Sequence, residues 1–523
     1  MVVNLTSPGI QTREIDLSTV VPSVSTLEGA MAGVFRWGPV DEPILITSEV
    51  DLTRRFGKPK VNYNQETFFT AADFLAYSNA LYVVRVTDAN TASASSNTDT
   101  DAITAKYPGL LGNSIRVETY NQANANTATL DAFAQGVPSS NTNVNVIVVD
   151  ADGGFTGVAN TVLEVFEDLS VTSGDKTEDG SDNYLPTVLN NSSSYVNMDA
   201  TATLSEFYSF DETLTTGTDG SDESNIALGE LQSGYDLYDT VENIDISLVM
   251  QGKARGDSNE AELGQYIINN IAEPRKDCVA FISPDRASVV NNSGSEVTDV
   301  LAFRNNMNNS SYGVMDSGYK YRYDKYNDSY VWTPLNGDMA GLCVRTDSQR
   351  DPWFSPAGYN RGLIKNVVKL AWNPRKAERD QLYKEDVNPV MTQVGEGTLL
   401  FGDKTMLGRQ SAFSRINVRR LFIILQKSIS AAARSTLFEF NDPFTRAQFK
   451  NTVEPFLREI QGRRGITDFR VVCDETNNTP TIIDGNQFIG DIYVKPARSI
   501  NFIQLNFVAV RTGVEFSEVV GQF

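Results

Sequence analysis

A chain of 523 residues, 41% hydrophobic and 21% charged, has material for a large core shared among three or more domains, which excludes global disorder. Its 44 basic and 66 acidic residues leave a net charge of -22 and a pI near 4.5, which excludes a polycation that tracks phosphates, so no nucleic-acid partner is expected. No histidine occurs anywhere, which removes the Ser-His-Asp triad, the HExxH zinc site and every imidazole general base.

Met1–Ile10 has neither a basic n-region nor an apolar h-region, so no signal peptide is expected. Apolar runs such as Leu421–Leu425 are far shorter than a bilayer requires, and no membrane insertion is expected. Along the chain, residues 30–37 read as a strand, Ser48 caps a helical turn reaching Phe56, and 65–77 reads as an amphipathic helix with Phe68, Ala72 and Leu75 on one face. Leu81–Val86 reads as a buried strand.

The segment from Glu118 to Gly252 holds 23 acidic residues and one basic residue, Lys176, and so carries the whole net charge. It is rich in Ser, Thr, Asn, Asp and Gly, with short β-rich pieces such as Val144–Val149, and reads as an outward-facing insertion. Its acidity can serve solubility alone. Asp219 to Glu230 has an EF-hand-like spacing, but position six is Ser224 where that loop needs glycine, so no metal is expected.

Beyond the insertion, strands are expected at 244–250, 278–282 and 312–315, with helices at 260–271 and 296–307. This alternation implies a largely parallel sheet covered by helices. Cys278, Cys343 and Cys473 form no CxxC pair and suit a reducing cytoplasm. Gly229 to Gly234 has Walker spacing, but Tyr235 and Asp236 stand where lysine and Ser or Thr are needed. No cofactor and no enzymatic activity are expected.

From Ala340 onward the chain has 25 basic and 19 acidic residues, so it is electrostatically polar along its length. Residues 415–434 read as a helix with an apolar stripe, and Arg420, Lys427 and Arg434, seven apart, form a basic ridge on another face. A second helix is expected from the Asp442-Pro443 start to Ile460. Ile503, Leu505, Phe507 and Ala509 alternate with Gln504, Asn506 and Val508, a strand that needs a sheet to join.

Long strings in this region and at the N-terminus resemble the tail sheath proteins of contractile-tailed bacteriophages, of the myovirus type. They are SPGI (Ser7, Pro8, Gly9, Ile10), YKYRYDKYND from Tyr319, AGLCVRTD from Ala340, SPAGYNRG from Ser355, GDKT from Gly402, RINVRRLF from Arg415 and PARSINFIQLNFVA from Pro496. The likeness covers residues 1 to about 90 and about 240 to 523 and is faint across the acidic insertion; the outermost decoration of longer relatives is expected to be missing.

The resemblance implies a multidomain α/β plus α+β fold: a linking arm at 1–20, an α/β core at 21–106 and 221–390, an acidic β-rich insertion at 107–220, an inner α+β domain at 391–498, and a second arm at 499–523. It further implies a virion subunit that assembles with itself as stacked six-fold rings around a tail tube protein, between baseplate and tail terminator proteins, and shortens irreversibly when triggered. Ser7, Pro8, Gly9, Ile10, Ile503, Leu505 and Phe507 would then link subunits by strand addition, and Arg420, Lys427 and Arg434 would face the tube. A related contractile injection particle and a carbohydrate-binding surface adhesin are the alternative readings.

Overall fold

The computed structural model describes residues 26–96, 102–125, 136–255 and 260–501. Its centre is a seven-stranded sheet. In spatial order the strands are Val387–Asn388, Gly313–Asp316, Val279–Ile282, Leu248–Met250, Gly29–Val34, Leu81–Val86 and Ile44–Ile46. All neighbours are parallel except the Ile44–Ile46 edge strand, which runs antiparallel to Leu81–Val86.

Successive side chains of each strand enter different cores, as the two-residue period requires. Ala30, Ala32, Val84, Val249, Ala280 and Ile282 pack on one side with the helices Leu228–Asp236 and Glu296–Asn305. Met31, Val83, Leu248, Met250, Val279 and Phe281 pack on the other with Gln65–Leu75 and Asn336–Gln349. The helix starting after Ser48 is present as Glu49–Phe56, with the Ser48 hydroxyl accepting from Asp51 N at 3.2 Å.

Three expectations are corrected. The helix Gln65–Leu75 keeps Phe68, Ala72 and Leu75 in one core as expected but has no wet side: all eleven residues are buried, because its polar side meets a second buried layer instead of water. Glu66 pairs with Lys253 at 2.7 Å and accepts from Tyr319 Oη at 3.1 Å, while Asp73 pairs with Lys320 at 3.0 Å. The strand expected from Ile244 begins only at Leu248, since the Arg275 guanidinium donates to the carbonyls of Tyr238, Thr240 and Ile244 and holds that stretch out of the ladder. The helix expected over 260–271 is α-helical only at Glu262–Tyr266 and widens into a π-helical stretch, Ile267–Ala272.

Between Leu81–Val86 and Leu248–Met250 stands an antiparallel four-stranded sheet, in the order Ser209–Thr213, Ile115–Asn121, Asn143–Asp150, Thr161–Ser170. It has its own core of Val117, Val146, Val148, Leu185, Phe207 and Phe210. Trp37, just past a strand of the central sheet, packs edge-on against Tyr107 at 5.4 Å and Phe155 at 5.0 Å, so an aromatic joint ties this acidic module to the centre. A fourth core, of Trp353, Leu421, Leu425, Val453, Leu457 and Ile460, is built by the helices Ile416–Ala433 and Pro443–Gly462 over the strand pair Ile466–Val472 and Asp491–Pro496.

Candidate assembly interface

The C-terminal unit brings the sequence-derived candidates onto one helix. Ile416–Ala433 has the apolar stripe expected of it, and its basic residues do recur on a shared face, but most of that face is turned inward. Arg420 is 4% exposed and grips Asp347 with both nitrogens, Nη1 to Oδ1 at 2.7 Å and Nη2 to Oδ2 at 2.5 Å. Burial disfavours its charge, yet the attraction of Asp347 outweighs that and holds the guanidinium pKa above its ordinary value. Asp347 also accepts from Thr26 Oγ1 at 2.5 Å.

One heptad on, Lys427 Nζ meets Asp245 Oδ1 at 2.6 Å and donates to Ile246 O at 2.9 Å and Ser247 Oγ at 3.0 Å. Only Arg434, at the helix end, is exposed. The expected tube-facing ridge is therefore corrected for Arg420 and Lys427: they fasten the helix to the sheet domain through carboxylates 73 and 182 residues away in sequence. A local seven-residue spacing cannot reveal partners at that separation.

The strand pair Ile466–Val472 and Asp491–Pro496 is antiparallel, with Ile466 opposite Pro496 and Val472 opposite Asp491. Neither strand has a further strand neighbour among the described residues, so both outer edges present backbone N–H and C=O groups. Lys495 pairs with Asp468 across the ladder at 2.8 Å, and Tyr493 is exposed.

Past Pro496 the chain is pinned before it leaves the described region. Ser499 Oγ donates to Asp403 Oδ2 at 2.8 Å, and Asn501 Nδ2 donates to Asp403 Oδ1 at 3.0 Å and to Tyr383 Oη at 2.9 Å. Arg415 adds an ion pair to Asp403 at 2.7 Å. Burial alone would raise the Asp403 pKa, but the bonds from Asn501 and Ser499 and the charge of Arg415 lower it overall, keeping an anionic anchor at the exit. Ser7, Pro8, Gly9, Ile10, Ile503, Leu505 and Phe507 lie outside the described residues.

The EF-hand-like spacing builds no common site. Asp219 is engaged by Lys60 at 3.1 Å and by Leu110 N at 2.8 Å, while Glu230 lies in the first turn of the helix Leu228–Asp236. Sequence reasoning missed the junction of the two C-terminal helices, where Leu437, Phe438 and Phe440 of the loop and Phe444 of the following first helical turn all face solvent. The signal was present: four large apolar residues in eight, immediately around a helix-start Asp-Pro.

Residues 30–86 match the family described as tail sheath protein Gp18 domain III N-terminal region, 239–406 the phage tail sheath protein central domain, and 409–509 the phage tail sheath C-terminal domain. The tail sheath protein of Vibrio phage KVP40 is 33% identical over 688 aligned positions, covering 99% of this chain and all of that one. Because that alignment exceeds 523 residues, the relative has segments with no counterpart here. The tail sheath protein of Enterobacteria phage T4 is 31% identical, with 99% of each chain covered. Among solved structures, the sheath tail protein of Listeria innocua aligns at a TM-score of 0.56 and 12% identity, covering 91% of this chain and 96% of that one. The helical sheath of the anti-feeding prophage in its contracted state aligns at 0.55 and 12%, covering 97% and 99%. At such identities these two share the fold.

Proposed function

Because the chain belongs to the tail sheath proteins of contractile-tailed bacteriophages, we propose that it polymerises as six-fold rings stacked helically around a tail tube and shortens to drive that tube through a host envelope. The observation that carries this reading is the end-to-end correspondence with phage tail sheath proteins, in which no large part of the chain is left for another task. The subunit is a virion component, and its partners on this reading are further copies of itself, the tube protein, and the baseplate and terminator proteins that close the two ends.

Two features support linkage through the chain ends. Among the described residues the C-terminal strand pair has no further strand neighbour, and the chain leaves it through the Asp403 anchor with 22 residues still to run. A segment that adds a strand to a neighbour's open edge gains backbone hydrogen bonds while leaving each subunit's own cores intact. The acidic module belongs at large radius, where like charges repeated around a ring are furthest apart and best screened. Of the basic ridge, Arg434 remains the candidate for facing the tube.

Electron microscopy of the purified chain beside variants lacking residues 1–19 or 499–523 tests the reading. Tubes or stacked rings are expected from the whole chain, and folded but non-polymerising protein from each truncation. Normal tubes from both truncations would refute linkage through the ends, and a whole chain that stays monomeric at every concentration would refute the sheath reading.

A further inference from the structure

Four large apolar side chains project where the two C-terminal helices join, three from the connecting loop and Phe444 from the first turn of the helix Pro443–Gly462. Phe438 is 105% exposed, Phe440 84%, Phe444 76% and Leu437 63%. Three phenylalanines offering roughly 150–250 Å² each form a patch at the upper end of what a free monomer presents. The loop is held in shape: Asn441 Nδ2 donates to Asn478 Oδ1 at 3.1 Å and to Gln487 O at 2.8 Å, and Arg446 Nε donates to Asn441 Oδ1 at 2.9 Å. Asp442 Oδ1 caps the following helix by accepting from Thr445 N at 2.8 Å. Phe438 itself has φ 69°, a left-handed conformation that a bulky residue seldom adopts. The projecting surface carries the carboxylates of Glu439 and Asp442.

A groove of about 1060 Å³ opens elsewhere on the same chain, between the C-terminal unit and the sheet domain. Trp353, Phe354, Tyr359, Phe401, Ile466 and Ile500 supply its apolar lining. Arg361, Arg464 and Arg498 stand along it, and none has a carboxylate within 4.0 Å among the described residues. Burial, and then the neighbouring Arg350, push the Arg361 pKa below its ordinary value, as in a positive cluster short of counter-charge. An acidic aromatic wedge and a basic aromatic groove are complementary in both shape class and charge.

They cannot meet within one chain. The helix Pro443–Gly462 begins at the wedge and ends at the groove, whose wall includes Gln461 and Arg464. Twenty residues at 1.5 Å each separate the two by about 30 Å. Two different patches that fit each other make a head-to-tail contact, which propagates from copy to copy as a ring or a helix. We propose that the Leu437–Phe444 wedge of one copy seats in the Trp353–Phe401–Ile466 groove of the next. This contact rests on the self-assembly reading above and adds to it a side-chain interface separate from any strand exchange by the chain ends.

The three native cysteines are buried and free, so introduced surface cysteines report cleanly. Particles assembled from a Tyr359→Cys/Phe440→Cys variant are oxidised and run on a denaturing gel. A ladder of covalent oligomers is expected, and a mixture of the two single variants is expected to stop at dimers. Glu439→Arg alone should abolish the ladder, and adding Arg464→Glu should restore it. Tubes visible by microscopy without a ladder would overturn the wedge contact and leave the sheath reading standing. Cross-linking of Tyr359→Cys to Phe507→Cys instead would assign the groove to the C-terminal segment and also overturn it. A wild-type chain that forms no assembly would overturn both.

Discussion

Arg420 and Asp347 illustrate how a single buried pair decides where a whole unit sits. Both side chains are about 95% buried, and two short charge-assisted bonds join a C-terminal helix to the sheet domain. Removing one partner strands the other charge in a low-dielectric site, so Arg420→Ala should cost about 3–5 kcal/mol, whereas replacing both by apolar residues of similar volume should cost much less. Denaturant unfolding of the two variants measures the difference, and equal losses would contradict the pairing. Asp316 behaves differently. It is 1% exposed, and burial pushes its carboxyl pKa up to about 8 despite bonds from Ser283 Oγ at 2.6 Å and Gly318 N at 2.9 Å. An unfolded aspartate titrates near 3.9, so between about pH 4 and 8 the folded chain holds a proton that the unfolded chain has lost. The contribution of Asp316 is therefore fully present below about pH 4 and declines as pH rises toward 8. Unfolding midpoints between pH 5 and 8 should fall less steeply in Asp316→Asn than in the parent; parallel profiles would show that the group is already ionised.

Elements show which features a sequence discloses and which it withholds. The caps at Ser48 and Asp442 are local, requiring a side chain to reach an N–H three residues on, and both were legible from short strings. Alternating strands and helices likewise disclosed a parallel sheet, because periodicity reports the faces of an element. Gln65–Leu75 defeats the same logic: its pattern suggests a wet side, but Asp73 and Gln65 meet buried Lys320 and Asp324, and Glu66 meets partly buried Lys253, all from distant segments. The ridge of Arg420 and Lys427 failed for that reason too. A consequence of the close packing of Gln65–Leu75 against Asn336–Gln349 is that Gly337 has no room for a side chain: a Cβ there would lie 2.4 Å from Thr70 O. Gly337→Ala must part the two helices and should destabilise by about 1–3 kcal/mol, a loss read as a lowered thermal midpoint. An unchanged midpoint would mean that this crossing is looser than the structure has it.

At the scale of the molecule, the negative charge is gathered in one module, the wedge and the two-stranded ladder in the C-terminal unit, and the groove between that unit and the sheet domain. The family models on either side of residues 87–238 cover the sheet domain and the C-terminal unit, whereas the acidic module lies between them. This division suits an assembly that holds together through its C-terminal units and keeps its acidic modules apart. Contraction on this account stores its energy in packing: each subunit has two ways to meet its neighbours, the second lower in free energy, and a trigger at one end releases the first ring. On this account the domains turn as rigid bodies near the arm roots: Pro496 closes the strand Asp491–Pro496, past which the second arm departs, and the first root, near Val20 to Ser23, lies outside the described residues. No step in that scheme consumes nucleotide or needs a metal ion. The most direct test is image reconstruction of purified tails before and after chemical triggering in nucleotide-free, chelator-treated buffer. The account predicts full shortening, with the seven-stranded sheet and its two cores superimposing between the two states; sheaths that stay extended until ATP or a metal ion is added would contradict it.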